Sequence, residues 1–350
     1  MDGRNRVSAA LAGVLTDRLP CLPILHSGLP SLFGEPLGAF FTDAQTMADT
    51  IVRGYQTFGY DGVQLSLGVT GEAEALGARV EQPRDAGPVL KENLVSDLED
   101  GATLERLRSR DPTKGGRMPL YEEAVRRTVG RIGDEAFVLA MLRGPLLAAS
   151  QLYGVENLLI GTITEPEAVR RLLALTSEIA LRLGTWLTKS GAHALILGEA
   201  TCSPNFISPK LYRDLVLPSH TALVTELRAA GWQHVGLHIC GNIAPIFEDI
   251  ISTGVDFLDV DYQVAARQAI DLAKGRVALR GNLDPSGIFR FGTANQVAQA
   301  TQELCEQAID CPRWILSSGC DIPPGTPEDN VMAFVNARDR YGVRVEPHNR

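Results

Sequence analysis

The chain has 350 residues, 45% hydrophobic and 21% charged, which is material for a large core and excludes wholesale disorder. Its 33 Lys and Arg against 42 Asp and Glu leave a formal charge of -9, which argues against a nucleic-acid or anionic-membrane surface. Six cysteines without dense spacing do not make a disulfide scaffold, and no run reaches the roughly 18 apolar residues of a membrane helix. The N-terminus also lacks a signal peptide's unbroken apolar segment, so the expectation is a reduced, cytoplasmic protein.

Val7, Leu11, Val14 and Leu15 recur at helical spacing, which predicts an N-terminal helix within residues 1–20. CLPILHSG (21–28) is the first expected strand. A helix follows and stops at Gly59, a residue suited to a helix C-terminus. DGVQLSLGV (61–69) is the second strand. Residues 70–115 are charged, punctuated by Gly and Pro and weakly periodic, which marks an insertion or lid rather than an ordinary connection.

From residue 118 the alternation becomes regular. Strands are expected at 136–144, 194–200, 234–240, 257–261, 277–283 and 314–320, each separated from the next by helical pattern. Pro218 falls inside the helix expected at 211–231 and predicts a kink there. Eight apolar strands alternating with amphipathic helices imply a parallel sheet closed on itself, a single α/β domain of (β/α)8 (TIM barrel) type over 1–350.

Chemistry in such barrels sits at the C-terminal strand ends. The polar residues there are Glu199, His238 with Cys240, Asp261, Asn282 with Asp284, and Cys320 with Asp321. Residues two apart on a strand share a side, so imidazole and thiol converge from HVGLHIC. One imidazole and two thiolates form a soft donor set that selects Zn2+. Asp261 is the first choice for a fourth ligand, because it ends the neighbouring strand, and Glu199 is the second. An isolated H-x-C pair would more often be core packing; the second cysteine at another strand end, with carboxylates beside it, favours a metal. Cys305 falls on a helix and reads as core, Cys21 and Cys202 as packing, and Cys311 as a loop residue. His26 ends the first expected strand and faces the same rim, whereas His193, His220, His234 and His348 read as structural or exposed. Gly144 permits close approach of backbone to a ligand. Its neighbour Arg143 could hold an anion or be a surface turn residue.

FLDVDYQVAARQAIDLAKGRVALRGNLDP and IPPGTPEDNVMAFVNA resemble the uroporphyrinogen decarboxylase superfamily. Two departures point away from the decarboxylase itself. Where it carries an Arg-rich R-Q-A-G-R motif, this chain reads HSGLPSLFG, and Gly319-Cys320 stands where a histidine is usual. The segments TGEAEALGARV (70–80) and RGPLLAASQLYGVENLL (143–159), with His238, Cys240 and Cys320, are similar to its branch of corrinoid-linked methyltransferases.

That resemblance implies a zinc-dependent methyltransferase with a corrinoid (methylcobalamin) as substrate or on a partner corrinoid protein. The small substrate would be a thiol or a methyl ether. From their places at the rim, Arg143, Gly144, Asn282 and His26 are the residues expected near the bound molecules, and Asn242 or Asn282 could orient metal ligands. The rival readings are a metal-free decarboxylase-like lyase using Asp261 and Glu199, and a non-catalytic corrinoid- or tetrapyrrole-binding protein.

Overall fold

The computed structural model describes residues 1–344, so the expectation for His348 lies outside the described residues. Nine strands form among them: β1 (Gly62–Leu65), β2 (Val80–Glu81), β3 (Val89–Leu90), β4 (Phe137–Arg143), β5 (Ala194–Gly198), β6 (Val235–His238), β7 (Phe257–Val260), β8 (Ala278–Leu283) and β9 (Trp314–Ser318). Seven are hydrogen-bonded in the order β1-β4-β5-β6-β7-β8-β9, every pair parallel. Helices intervene between successive members, as parallel connections require.

The eighth stave differs from expectation. Residues 21–28 contain no regular strand, yet the segment around Cys21 fills the gap between β9 and β1. Leu22 N donates to Leu316 O at 2.9 Å, Leu316 N to Pro20 O at 2.7 Å, and Asp61 N to Cys21 O at 2.7 Å. Pro20 and Pro23 bring no amide hydrogen, so the ladder cannot extend beyond these few bonds. The ring still closes, and the fold is a (β/α)8 barrel.

Alternation along each strand divides the apolar residues into two sets. Leu22, Phe137, Leu139, Met141, Ala194, Ile196, Phe257, Ala278 and Ile315 fill the lumen, capped at its N-terminal end by Val7, Ala10 and Leu11. Those three sit on a helix, Gly3–Ala12, shorter than the pattern that included Val14 and Leu15, both of which are exposed. The strands' outer residues pack against the surrounding helices in the larger cluster.

Pro218 acts one turn earlier than a simple kink. Tyr212–Val216 widen into a π-helical turn, and the α-helix proper is Leu217–Ala229, with Pro218 at its second position. A ring without an amide hydrogen cannot close the preceding turn normally. Residues 70–115 form two short helices, Gly71–Ala75 and Gly101–Arg108, and the antiparallel β2–β3 hairpin. No single helix among the described residues is long and apolar enough to cross a membrane.

Candidate functional site

Inward parity and register together lay one polar row across the lumen. Arg143 pairs with Gly198, Gly198 with His238, His238 with Asp259, and Asp259 with Arg280. Four side chains from different strands thus meet at one height, just below the C-terminal rim.

His238 is the last residue of β6; Cys240 and Cys320 stand two residues beyond β6 and β9, on the loops. Their donor atoms form a small triangle. His238 Nε2 lies 3.2 Å from Cys240 Sγ and 3.7 Å from Cys320 Sγ, and the two sulfurs are 3.7 Å apart. A tetrahedral zinc with one nitrogen and two sulfur ligands has edges of roughly 3.3–3.8 Å, so the donor set fits that ion in kind and in spacing.

The ring of His238 is held from behind. Asp259 Oδ2 lies 2.8 Å from His238 Nδ1, which turns Nε2 toward the thiols. Asp259 is itself fixed by Arg280, Nε to Oδ1 at 2.7 Å and Nη2 to Oδ2 at 2.5 Å. Although burial opposes ionisation, Arg280 and His238 hold the Asp259 carboxyl below its usual range. Burial alone would lower His238, but Asp259 and Cys320 raise it to about 10. The hydrogen bond from Cys320 lowers the Cys240 thiol, and the same contact together with burial raises Cys320. Of the pair, Cys240 is therefore the more acidic thiol and Cys320 the less acidic.

The carboxylates named from sequence are placed differently from the thiols. Asp261 is buried one residue past β7 and accepts from Gln263 N at 3.0 Å. It is not among the groups whose ligand atoms all lie within 4.8 Å of one another around His238, Cys240 and Cys320. Glu199 belongs to a second buried cluster with Cys202 and His220. Its Oε1 accepts from Leu146 N at 3.0 Å and faces His220 Nε2 at 2.9 Å, and its Oε2 accepts from Leu147 N at 2.7 Å. Tyr212 Oη lies 3.1 Å from His220 Nδ1 and completes the chain. With two helix-start amides and an imidazole directed at it, this side chain already has its hydrogen-bond partners. A Cβ on Gly144 would come within 2.5 Å of Glu199 Cγ, so the glycine makes room for that carboxylate.

Asn282 donates Nδ2 to Val264 O at 2.6 Å and braces the loop after β7. Asn242 caps its own turn, its Oδ1 accepting from Ala244 N at 3.1 Å. His26 lines the cavity above the triad; its Nδ1 accepts from Ser27 N at 2.9 Å and lies 3.2 Å from Asp321 Oδ2. Burial pushes the His26 pKa down.

That cavity encloses about 440 Å3 and takes in His26, Arg143, His238, Cys240, Cys320 and Asp321. Gly87 and Pro88 of the 70–115 segment contribute to its wall. Asp259 and Arg280 were not anticipated from sequence. Only the register that pairs Asp259 with His238 and Arg280 with Asp259 distinguishes them from ordinary members of the runs FLDVD and VALRGNL.

Comparison with known proteins places these features in context. The family model described as uroporphyrinogen decarboxylase matches residues 2–341. The methylcobamide:CoM methyltransferase MtaA of Methanosarcina barkeri is 26% identical over 352 residues, covering 97% of this chain and 98% of the relative. A methylated-thiol–coenzyme M methyltransferase of Methanosarcina mazei is 26% identical over 84% of this chain and 77% of its own length. A solved methyltransferase from Methanosarcina mazei superposes with a TM-score of 0.88 at 24% identity, covering 97% of this chain and 99% of that one, and so shares the fold.

Proposed function

This chain belongs to the uroporphyrinogen decarboxylase family and is a methyltransferase of it, and we propose that it uses zinc to move a methyl group between a corrinoid and a small thiol or methyl ether. The observation that carries this reading is the triangle of His238 Nε2, Cys240 Sγ and Cys320 Sγ at the cavity floor.

These three residues would hold the metal. When bound, zinc supplies the Lewis acidity that gives a thiol thiolate character at neutral pH. Three protein ligands leave a position for substrate, the pattern of catalytic rather than structural zinc. Asp259 and Arg280 keep His238 in the orientation that presents Nε2, and so fix the donor geometry before any ligand arrives. Asp261 stands next in line as an additional ligand by virtue of its position beside the triad. His26 and Arg143, on the cavity wall, are the residues a bound molecule would touch. Asn282 and Gly144 support them by bracing the loop after β7 and by seating Glu199.

The open rim must admit a corrinoid carried by a separate protein, and the segment 70–115 is the part of the chain best situated to meet it. Cytoplasmic residence agrees with free cysteines throughout. Against the decarboxylase-like alternative stands the cavity's charge: among the described residues its wall carries one arginine, Arg143, too few for a substrate with many carboxylates.

The test has two directions: demethylation of methylcobalamin by a panel of thiols, read as loss of the methylcobalamin absorbance, and methylation of cob(I)alamin by a panel of methyl ethers, read as its appearance. Turnover by the zinc-loaded protein and none by Cys240→Ser supports the assignment. Equal rates for the two, or no turnover with any thiol or methyl ether, contradicts it.

A further inference from the structure

The six cysteines differ sharply in their surroundings. Cys21, Cys202 and Cys305 are fully buried, Cys21 in the closing stave, Cys202 just past β5 and Cys305 on the helix Ala294–Ala308. Cys311 is half-buried in the loop before β9. Among the described residues, sulfur meets sulfur at one place, between Cys240 and Cys320, 3.7 Å apart. Both are half-buried and both line the cavity of about 440 Å3, so a small reagent entering the cavity reaches the pair.

A disulfide bond needs its sulfurs about 2.05 Å apart, closer than the present 3.7 Å. The strands need not move to provide this. Each cysteine stands two residues past its strand, on a loop and next to a glycine, Gly241 or Gly319. Side-chain rotation with a small loop shift is enough to join them.

Zinc and a disulfide exclude one another at this place. Bonds of about 2.3 Å to a tetrahedral ion hold two sulfurs about 3.8 Å apart, and both must be thiolates. A disulfide has neither that spacing nor that charge.

We infer that Cys240 and Cys320 form a reversible thiol–disulfide couple, a covalent modification site whose closure dismantles the metal site and leaves His238 as the one remaining donor of the three. This rests on the zinc reading for what is lost, whereas the bond itself depends only on the two thiols. The oxidant is a low-molecular-weight disulfide such as oxidised glutathione. One cysteine thiolate attacks it, forming a mixed disulfide and expelling one glutathione thiolate. The other cysteine thiolate attacks the protein sulfur of that mixed disulfide, closes the Cys240–Cys320 bond and expels the second glutathione thiolate. The cysteines lose two electrons, the glutathione disulfide gains two, and the two cysteine protons end on two glutathione thiols.

Treatment of the full-length protein with oxidised glutathione, zinc-loaded and after removal of metal by a chelator, tests it. Free thiols are capped with N-ethylmaleimide and counted by intact mass. Peptide mapping without reductant locates the bond, and a zinc-sensitive dye measures released metal. Metal-free wild type should lose two of its six free thiols as one Cys240–Cys320 bond, reversed by dithiothreitol. Zinc-loaded wild type should release one zinc for each bond formed, and the oxidised protein should take up none. Cys240→Ser and Cys320→Ser should stop at a glutathione mixed disulfide on the remaining partner, and Cys311→Ser should behave as wild type. Six free thiols in metal-free protein under excess oxidised glutathione, a mixed disulfide that never closes, or a bond to any of the other four cysteines overturns the inference. The metal reading fails separately. A wild type that never binds zinc yet closes the bond contradicts that reading alone. One that binds zinc but keeps both thiols free after the metal is stripped contradicts the couple alone.

Discussion

Asp259 Oδ2 sits 2.8 Å from His238 Nδ1, on the strand next to it and in direct register, so a buried carboxylate decides which imidazole nitrogen faces the thiols. Arg280 holds that carboxylate from the following strand, its register partner in turn. The proposed metal site is thus supported by the sheet itself rather than by loops. Of its three donors, only the cysteines depend on loop conformation.

Asp259→Asn should therefore leave all three ligands in place and still weaken zinc. Removing a ligand's supporting carboxylate typically lowers metal affinity about 10- to 100-fold. Competition with a chromophoric chelator measures this, and unchanged affinity would show that the Asp259 contact does not orient His238.

Cys320→Ser should lose zinc and methyl transfer while the barrel still folds. The residue lies beyond β9 on the rim, outside the apolar set that closes the lumen. A native far-ultraviolet circular dichroism spectrum with no bound metal is the expected pair of observations. Zinc and turnover retained in this variant would refute the site as drawn.

Zinc affinity should rise with pH. Before metal binds, His238 is held protonated up to about 10 and Cys320 keeps its thiol, while Cys240 is the more acidic of the pair. Binding must expel the imidazole proton and the Cys320 proton, and the Cys240 proton wherever that thiol still holds it, so at least about two protons should leave per zinc near neutral pH. Calorimetry in buffers of different ionisation enthalpy counts them. A count near zero would mean that the three groups are not the ligands.

Glu199→Gln separates scaffold from site. Its carboxylate satisfies two amides at the start of the helix Pro145–Tyr153 and the buried His220. The amide's NH2 would face one of those donors, at a cost of about 1–3 kcal/mol, read as a lower denaturant midpoint. Zinc content should not change. A loss of zinc in this variant would make Glu199 the missing ligand instead.

Much of this was legible in the chain, for identifiable reasons. Seven of the eight staves read directly as apolar runs, because a strand covered on both faces has no polar face to obscure it. The eighth read as a strand from its hydrophobicity, but Pro20 and Pro23 deny it the hydrogens that a ladder needs. His238, Cys240 and Cys320 stood out because each lies at the polar end of an apolar run. Asp259 and Arg280 did not, since a charge in mid-strand acquires meaning only when the neighbouring strand's register is known. Glu199 read as a ligand for the same reason: sequence locates it at the rim, and only the fold shows the helix amides it answers.

Elemental analysis of the reduced wild-type protein, beside His238→Ala and Cys240→Ala, is the most direct test of the central claim. The account predicts about one zinc per chain in the wild type and loss of it in both variants. No zinc in well-reduced wild-type protein, or zinc kept by both variants, would contradict it.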